Sequence, residues 1–420
     1  MYWILTLMPI GLLALGFPVF VVLLLTSAVV LTFFVPIPIE ALHQRLFSGI
    51  DKYALLAVPF FIFAGELMSS SSTSRRIVDW VMSLTGGARG NLAFTTIGTC
   101  VVFGAISGSS QATVSAIGRI LYAPLRNGGY SAEFSNGLLA STGAMAVVIP
   151  PSISMILYGV ASNTSVTKLF IAGILPGFVM AACFVGYVLL SREIPQRSGR
   201  KADLRTIGKK TWQGLGAIGS PVIILGGIYG GIFSPTEAAG VACIYVMLLA
   251  GFLYRDVGLR QIWDVTVRAM YLTAQVFLIV AAASAFSWVL TVVNVPQDIV
   301  HLISDMDLSN WQLLLAINIV LLIVGCFIDT PSAILVMTPL LAPVAAAAGI
   351  DLIHLGIIVT VNLAIGFFTP PFGINLFVVQ ALFKEPVSVI YRGVAPFIAV
   401  NLLSLALITY VPPLSLWLVD

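Results

Sequence analysis

Charge is scarce in this chain. Asp, Glu, Lys and Arg make up 9% of its 420 residues, where a soluble domain carries about 25%. Apolar residues reach 59%. That balance excludes a water-soluble globular protein and gives a polytopic membrane protein that lives in a lipid bilayer. A formal net charge of +3 is too small and too dispersed to suggest a nucleic-acid partner. Histidine and cysteine are nearly as rare. His43, His301 and His354 are scattered near segment ends, and Cys100, Cys183, Cys243 and Cys326 lie in apolar runs without CxxC spacing. Neither a metal cluster nor a disulfide is expected, and the cysteines read as small core residues. GxSxG, HExxH, Walker A and dinucleotide-binding fingerprints are also missing in their required contexts. Nothing reads as an enzyme, and a chain without a phosphate-binding loop does not hydrolyse ATP.

Long apolar runs are what remains. Candidate membrane segments fall at 3–34, 53–70, 90–107, 111–126, 132–160, 167–190, 213–231, 235–254, 267–293, 311–328, 332–348, 353–383 and 388–411. The first is longer than the roughly 20 residues of one span, and Gly16-Phe17-Pro18 should break or kink it. It has no basic leader or small-residue cleavage site, so it is expected to be retained. The most cationic stretch holds Arg192, Arg197, Arg200, Lys201, Arg205, Lys209 and Lys210, which makes 191–212 a cytoplasmic linker by the positive-inside rule. Counting spans from it puts Arg75, Arg76, Arg89, Arg126, Arg255, Arg260 and Arg268 inside. Asp298, Asp305 and Asp307 fall outside.

The chain also repeats itself. GAISGSSQATVSAIGRILYAPL (104–125) resembles GCFIDTPSAILVMTPLLAPV (325–344), and VVIPPSISMILYG (147–159) resembles FFTPPFGINLFVV (367–379). The Ala-Pro pair moves from Pro124 to Pro343, an offset of 219, and the Pro-Pro pair from Pro150 to Pro370, an offset of 220. RRIVDW (75–80) likewise resembles PQDIVHL (296–302), and Pro18 resembles Pro235. Arg89 and Arg126 bracket 90–126 on one face, so that stretch is two short spans or one re-entrant hairpin. Its hydroxyl-rich turn favours the hairpin. Asp307 and Asp351 bracket 311–348 on the opposite face. The expected fold is therefore an all-α membrane protein with an inverted-topology repeat. The first copy is 1–190, with a hairpin at about 90–126 and a broken helix at about 132–160. The second is 213–420, with a hairpin at about 311–348 and a broken helix at about 353–383. Twin interrupted segments of this kind mark a transporter's binding site near the bilayer midplane. Without ATP hydrolysis, the energy must come from an ion gradient or another subunit.

Several residues could carry that chemistry. Ser107, Gly108, Ser109, Ser110, Gln111 and Thr113 form the first tip, opposite the break at Pro150, Pro151, Ser152 and Ser154. Hydroxyls and the carbonyls freed by paired prolines suit a hard monovalent cation, although small residues also serve close helix packing. The second tip, Asp329-Thr330-Pro331-Ser332, carries a carboxylate in apolar surroundings, which is costly unless a cation balances it. The competing reading of Asp329 is a hydrated helix cap. Its expected partner is the break holding Gly373 and Asn375. Half-helix N-termini meeting there suit a carboxylate substrate. Arg119 reads as a snorkelling side chain, Glu66 as structural near a helix end, and Glu237 as part of a capping box with Ser234.

At these residues the chain resembles the large membrane subunit of the tripartite ATP-independent periplasmic (TRAP) transporters. Beside the two tips and breaks, KLFIAGILPG (168–177) and FSPTEAAG (233–240) carry the likeness, which spans most of the chain in order. The resemblance implies a fold like that of the divalent-anion/sodium symporters, working as an elevator in the bacterial inner membrane. It implies coupling to sodium ions, a periplasmic solute-binding protein and a small four-helix membrane subunit. The implied substrates are organic acids such as C4-dicarboxylates or sialic acids. On this sequence, sodium would fall at Ser107, Gly108, Ser109, Ser110 and Pro150, and at Asp329, Thr330 and Gly373. Substrate would meet Gln111, Thr113, Ser152, Ser154, Ser332 and Asn375. A sodium/anion symporter that needs no binding protein is the second transport reading. An ion channel or a non-transporting scaffold fits the internal repeat less well.

Overall fold

The computed structural model describes residues 1–35, 37–191, 193–194 and 203–419. Every regular element among them is helical. The first apolar run is two helices, α1 (Tyr2–Ala14) and α2 (Val19–Phe34), because Gly16 turns left-handed at φ +83° and Pro18 cannot continue α1. Next come α3 (Glu40–Ile50), α4 (Ala57–Ser70) and α5 (Thr73–Thr85). The first hairpin is α6 (Asn91–Ser107) and α7 (Ser110–Asn127). The segment at 132–160 is broken as expected: α8 (Ala132–Ala144) and α9 (Ile153–Ser162) flank the Pro-Pro pair, and α10 (Val166–Leu190) follows.

The remainder is α11 (Leu204–Tyr229), α12 (Pro235–Leu248), α13 (Leu259–Val292), α14 (Val295–Asp305), α15 (Asn310–Phe327) and α16 (Thr330–Ala347). It ends with α17 (Leu352–Gly366), α18 (Ile374–Phe383), α19 (Val387–Tyr410) and the short α20 (Pro413–Leu416). Among the described residues, eight stretches are long and apolar enough to cross a membrane.

Elements α5 to α10 return in the same order as α14 to α19. The helix caps return with them. Ser109 and Asp329 cap α7 and α16, and Ser131 and Asp351 cap α8 and α17. Side-chain oxygens at these places take up first-turn N–H groups that have no partner inside the helix. Glu237 closes a capping box with Ser234, accepting from the Ser234 N–H at 2.8 Å.

Besides the four-residue α20, three helices were absent from the apolar segments: α3, α5 and α14. Each is amphipathic, pairing apolar with polar faces, so its mean hydropathy is low, and α5 buries a full stripe. In α5 that stripe is Thr73, Ser74, Ile77, Val78 and Val81, while Arg75 is exposed. Helix α11 begins inside the expected linker, where Asp203 caps its first turn. Arg192, Arg197, Arg200 and Lys201 of that linker lie outside the described residues. Helix α13 starts eight residues before the segment at 267, through a polar first turn.

Lipid removes most of the hydrophobic drive between helices, so close backbone packing matters more. Small residues supply it at equivalent crossings. A side chain on Gly104 would come within 2.7 Å of the Ala146 Cα, and one on Gly366 would collide with the Gly325 carbonyl. Thus α6 presses on the end of α8 as α15 presses on α17. The copies also interlock, since α7 packs on α18 and α16 packs on α9.

Candidate functional site

The first tip is built by backbone geometry. Gly108 ends α6 at φ +55°, and a side chain there would meet the Pro151 carbonyl oxygen at 2.6 Å. Only glycine lets the tip lie this close to the first break. Ser109 then accepts from the Ala112 N–H at 3.4 Å and starts α7. Thr113 donates to the Ser109 carbonyl at 2.8 Å and lies 3.0 Å from the Ser107 hydroxyl. The tip is thus a small knot of oxygens.

The second tip is built by its carboxylate. Asp329 Oδ2 accepts from the Ser332 N–H at 3.2 Å, and Oδ1 accepts from the Ser332 hydroxyl at 2.7 Å. The side chain is half-buried and makes no ion pair among the described residues. It is a helix cap, yet each oxygen keeps a lone pair for another partner. Thr330 is buried, with its hydroxyl 3.5 Å from the Leu363 carbonyl.

At the second break, Asn375 N–H donates to the Phe367 carbonyl at 2.8 Å. Gly373 is squeezed beneath this link: a side chain there would lie 2.7 Å from the same carbonyl. The Asn375 amide does not reach the second tip. It is fully buried and donates to the Ser110 hydroxyl and the Ala140 carbonyl, both at 2.8 Å. It therefore ties the second copy's broken helix to the first copy's hairpin.

A cavity of about 550 Å³ joins these parts. Ser107, Gly108, Ser109, Ser110 and Gln111 line it from the first tip, Ser154 from the first break and Asp329 from the second tip. The opposite wall comes from the start of α2, from α4 and from α13. Neither Lys nor Arg lines it among the described residues. A second cavity of about 150 Å³ lies behind Asp329, between Thr330, Gly325, Gly366 and the residues flanking Gly373.

The remaining sequence-derived residues are placed elsewhere. Pro150 faces a separate apolar crevice. Ser152 is buried and caps α9 by accepting from the Met155 N–H. Thr113, Ser332 and Asn375 are buried and held by the bonds given above. Arg119 is exposed on α7 and does not line the cavity. Two further polar residues line the cavity. Glu66, read as structural, lines the wall, with the Arg268 guanidinium 3.9 Å away. Gln275 projects from α13. The available signal was its position: a long polar amide within an apolar run.

Comparison with known proteins extends this geometry. The family model described as "Tripartite ATP-independent periplasmic transporter, DctM component" matches residues 6–414. The C4-dicarboxylate TRAP transporter large permease protein DctM of Pseudomonas aeruginosa is 39% identical, over 93% of this chain and 92% of that one. The ectoine TRAP transporter large permease protein TeaC of Halomonas elongata is 38% identical, over 98% of this chain and 97% of that one. Among solved structures, the YdaH transporter of Alcanivorax borkumensis, described as having an unusual topology, superposes with a TM-score of 0.66. It covers 96% of this chain and 98% of that one at 13% identity, a likeness of fold alone.

Proposed function

The chain belongs to the DctM component family of the tripartite ATP-independent periplasmic transporters, and from that premise we propose that it imports a carboxylate-bearing organic solute by sodium-coupled secondary transport. As a large permease subunit it is a multi-pass protein of the bacterial inner membrane and not an enzyme. In the proposed cycle a periplasmic binding protein delivers the solute, and a small membrane subunit completes the assembly. Relatives named for C4-dicarboxylate and for ectoine make small organic acids and zwitterions the first candidates.

One observation carries the reading. Both tips and the first break face a single cavity that holds Asp329 and no basic side chain among the described residues. An anionic solute needs positive charge there. The N-termini of α7 and α9 supply part of it through first-turn N–H groups. A cation beside Asp329 supplies the rest and offsets the cost of a carboxylate at membrane depth. The donors available to it are the Asp329 carboxylate, the Thr330 hydroxyl and backbone carbonyls. An all-oxygen set of this kind suits a hard cation such as Na⁺ and not a soft metal.

The mechanical proposal follows from how the cavity is walled. The tips and breaks form one side, and α2, α4 and α13 form the other. In an elevator cycle the first side slides past the second and carries solute and sodium together. Co-reconstitution of the chain with a small membrane subunit and a solute-binding protein in proteoliposomes tests this. Uptake of the solute that the binding protein carries should require both that protein and an inward Na⁺ gradient. Uptake indifferent to both would overturn the reading. Dependence on Na⁺ alone would favour a symporter that needs no binding protein.

A further inference from the structure

A second polar pocket lies away from the transport cavity, where α5 crosses the start of α11. It has a volume of about 210 Å³ and is lined by Ser72, Arg75, Arg76, Asp79, Lys210 and Gln213. Arg76 is held in place: it donates to the Gln213 carbonyl at 3.2 Å and lies 3.9 Å from the centre of the Tyr254 ring. Lys210 pairs with Asp79 at 2.8 Å. Arg75 is exposed beside them, and Arg205 and Lys209 lie on the same end of α11. The positive charges exceed the single carboxylate that lines the pocket. Asp256, from the loop after α12, is already engaged with the Ser72 N–H at 2.6 Å.

An apolar crevice of about 190 Å³ opens on the same two helices. Trp80, Val101, Pro150, Phe178, Ile218 and Leu225 are among its walls, which are almost wholly apolar. Trp80 joins the two spaces, since its indole N–H donates to Thr211 at 3.1 Å on the pocket side. Along α11, Gln213 and Ile218 are about 7.5 Å apart at 1.5 Å per residue. The outward face of α11 changes in step: basic residues, then the exposed Trp212, then exposed Leu215 and Val222. Tryptophan concentrates at the level of lipid headgroups, with apolar residues beneath it.

We propose that this seam binds an anionic phospholipid of the bilayer, its phosphate against Arg75, Arg76 and Lys210 and one acyl chain in the crevice. Basic pockets between membrane helices on the cytoplasmic side are suited to anionic headgroups, and charge counting puts Arg75, Arg76 and Lys210 on that side. The chain end would lie against Ile149 and Pro150, on the reverse of the first break.

The test reconstitutes the full chain with equal amounts of phosphatidylglycerol and phosphatidylcholine, extracts it in mild detergent, and counts retained lipid by native mass spectrometry. Wild type should retain phosphatidylglycerol preferentially. Arg75→Gln should lower that retention about fivefold, and Arg75→Gln with Lys210→Gln about 25-fold. Val222→Trp, which fills the crevice, should lower retention of both lipids. Equal retention of the two lipids by wild type, or indifference to Arg75→Gln, overturns the proposal. So does full displacement by inorganic phosphate in a protein whose retention ignores Val222→Trp, because that pattern belongs to a soluble anion. Should Val222→Trp fail to fold, Arg75→Gln still decides, since that exposed side chain supports no packing.

Discussion

Asp329 does two jobs, and substitution can separate them. As a cap it accepts from the Ser332 N–H, and as a cavity residue it offers carboxylate oxygens. Asn at this position keeps the cap and removes the charge. Asp329→Asn should therefore unfold at the wild-type temperature in detergent while its uptake falls roughly tenfold or more, the scale of a lost charged interaction. Asp329→Ala should lose about 1 kcal/mol of stability as well. Gln275 offers a cleaner probe of the opposite wall, because its exposed side chain lines the cavity. Gln275→Leu should raise the KM for uptake several-fold without changing thermal stability. At this scale the sequence was only partly legible. Polar residues inside apolar runs marked both tips, but the hydrogen-bond partners of Asn375 could not be read, because Ser110 and Ala140 lie more than 230 residues away in the chain. That Glu66 also faces the cavity was not legible either: whether a helix-end carboxylate does so depends on how α4 packs, which no local pattern states.

Elements were more legible where the chain breaks its own pattern. Paired prolines lie in the breaks between α8 and α9 and between α17 and α18, and Gly16 with Pro18 divided the first apolar run. Amphipathic α3, α5 and α14 escaped a search for apolar runs because half of each surface is polar. The contacts between elements rest on backbone proximity, which gives a direct test. A side chain on Gly366 would collide with the Gly325 carbonyl, whereas one on Gly226 would meet nothing within 4 Å. Gly366→Ala should lower stability by about 1–3 kcal/mol, the usual cost of overpacking. Gly226→Ala should leave it unchanged or slightly raised, given the higher helix propensity of alanine. Thermal unfolding of the two purified variants in one detergent checks both. A buried chain of amides joins α15, α17 and α19, with Asn362 donating to Asn318 at 2.7 Å and Asn318 to Thr409 at 3.2 Å. Asn362→Leu should cost about 0.6–2 kcal/mol, the range for interhelical hydrogen bonds in membranes.

The whole molecule turns the repeat into one site. Two segments some 220 residues apart bring their tips to the same cavity, and the copies interlock through α7 with α18 and α16 with α9. The tips are chemically unequal. The first offers hydroxyls and backbone, while the second brings a carboxylate. That inequality is the physical basis for proposing that cation and solute travel together, with the cation held chiefly at the second tip. The most direct measurement is a sodium titration of solute uptake in proteoliposomes, comparing wild type with Asp329→Asn at equal amounts of folded protein, each with the small subunit and binding protein present. Wild-type uptake should rise steeply with external Na⁺, and the variant's should stay low and nearly flat. A variant with the wild-type sodium response would contradict the account and leave Asp329 as a helix cap alone.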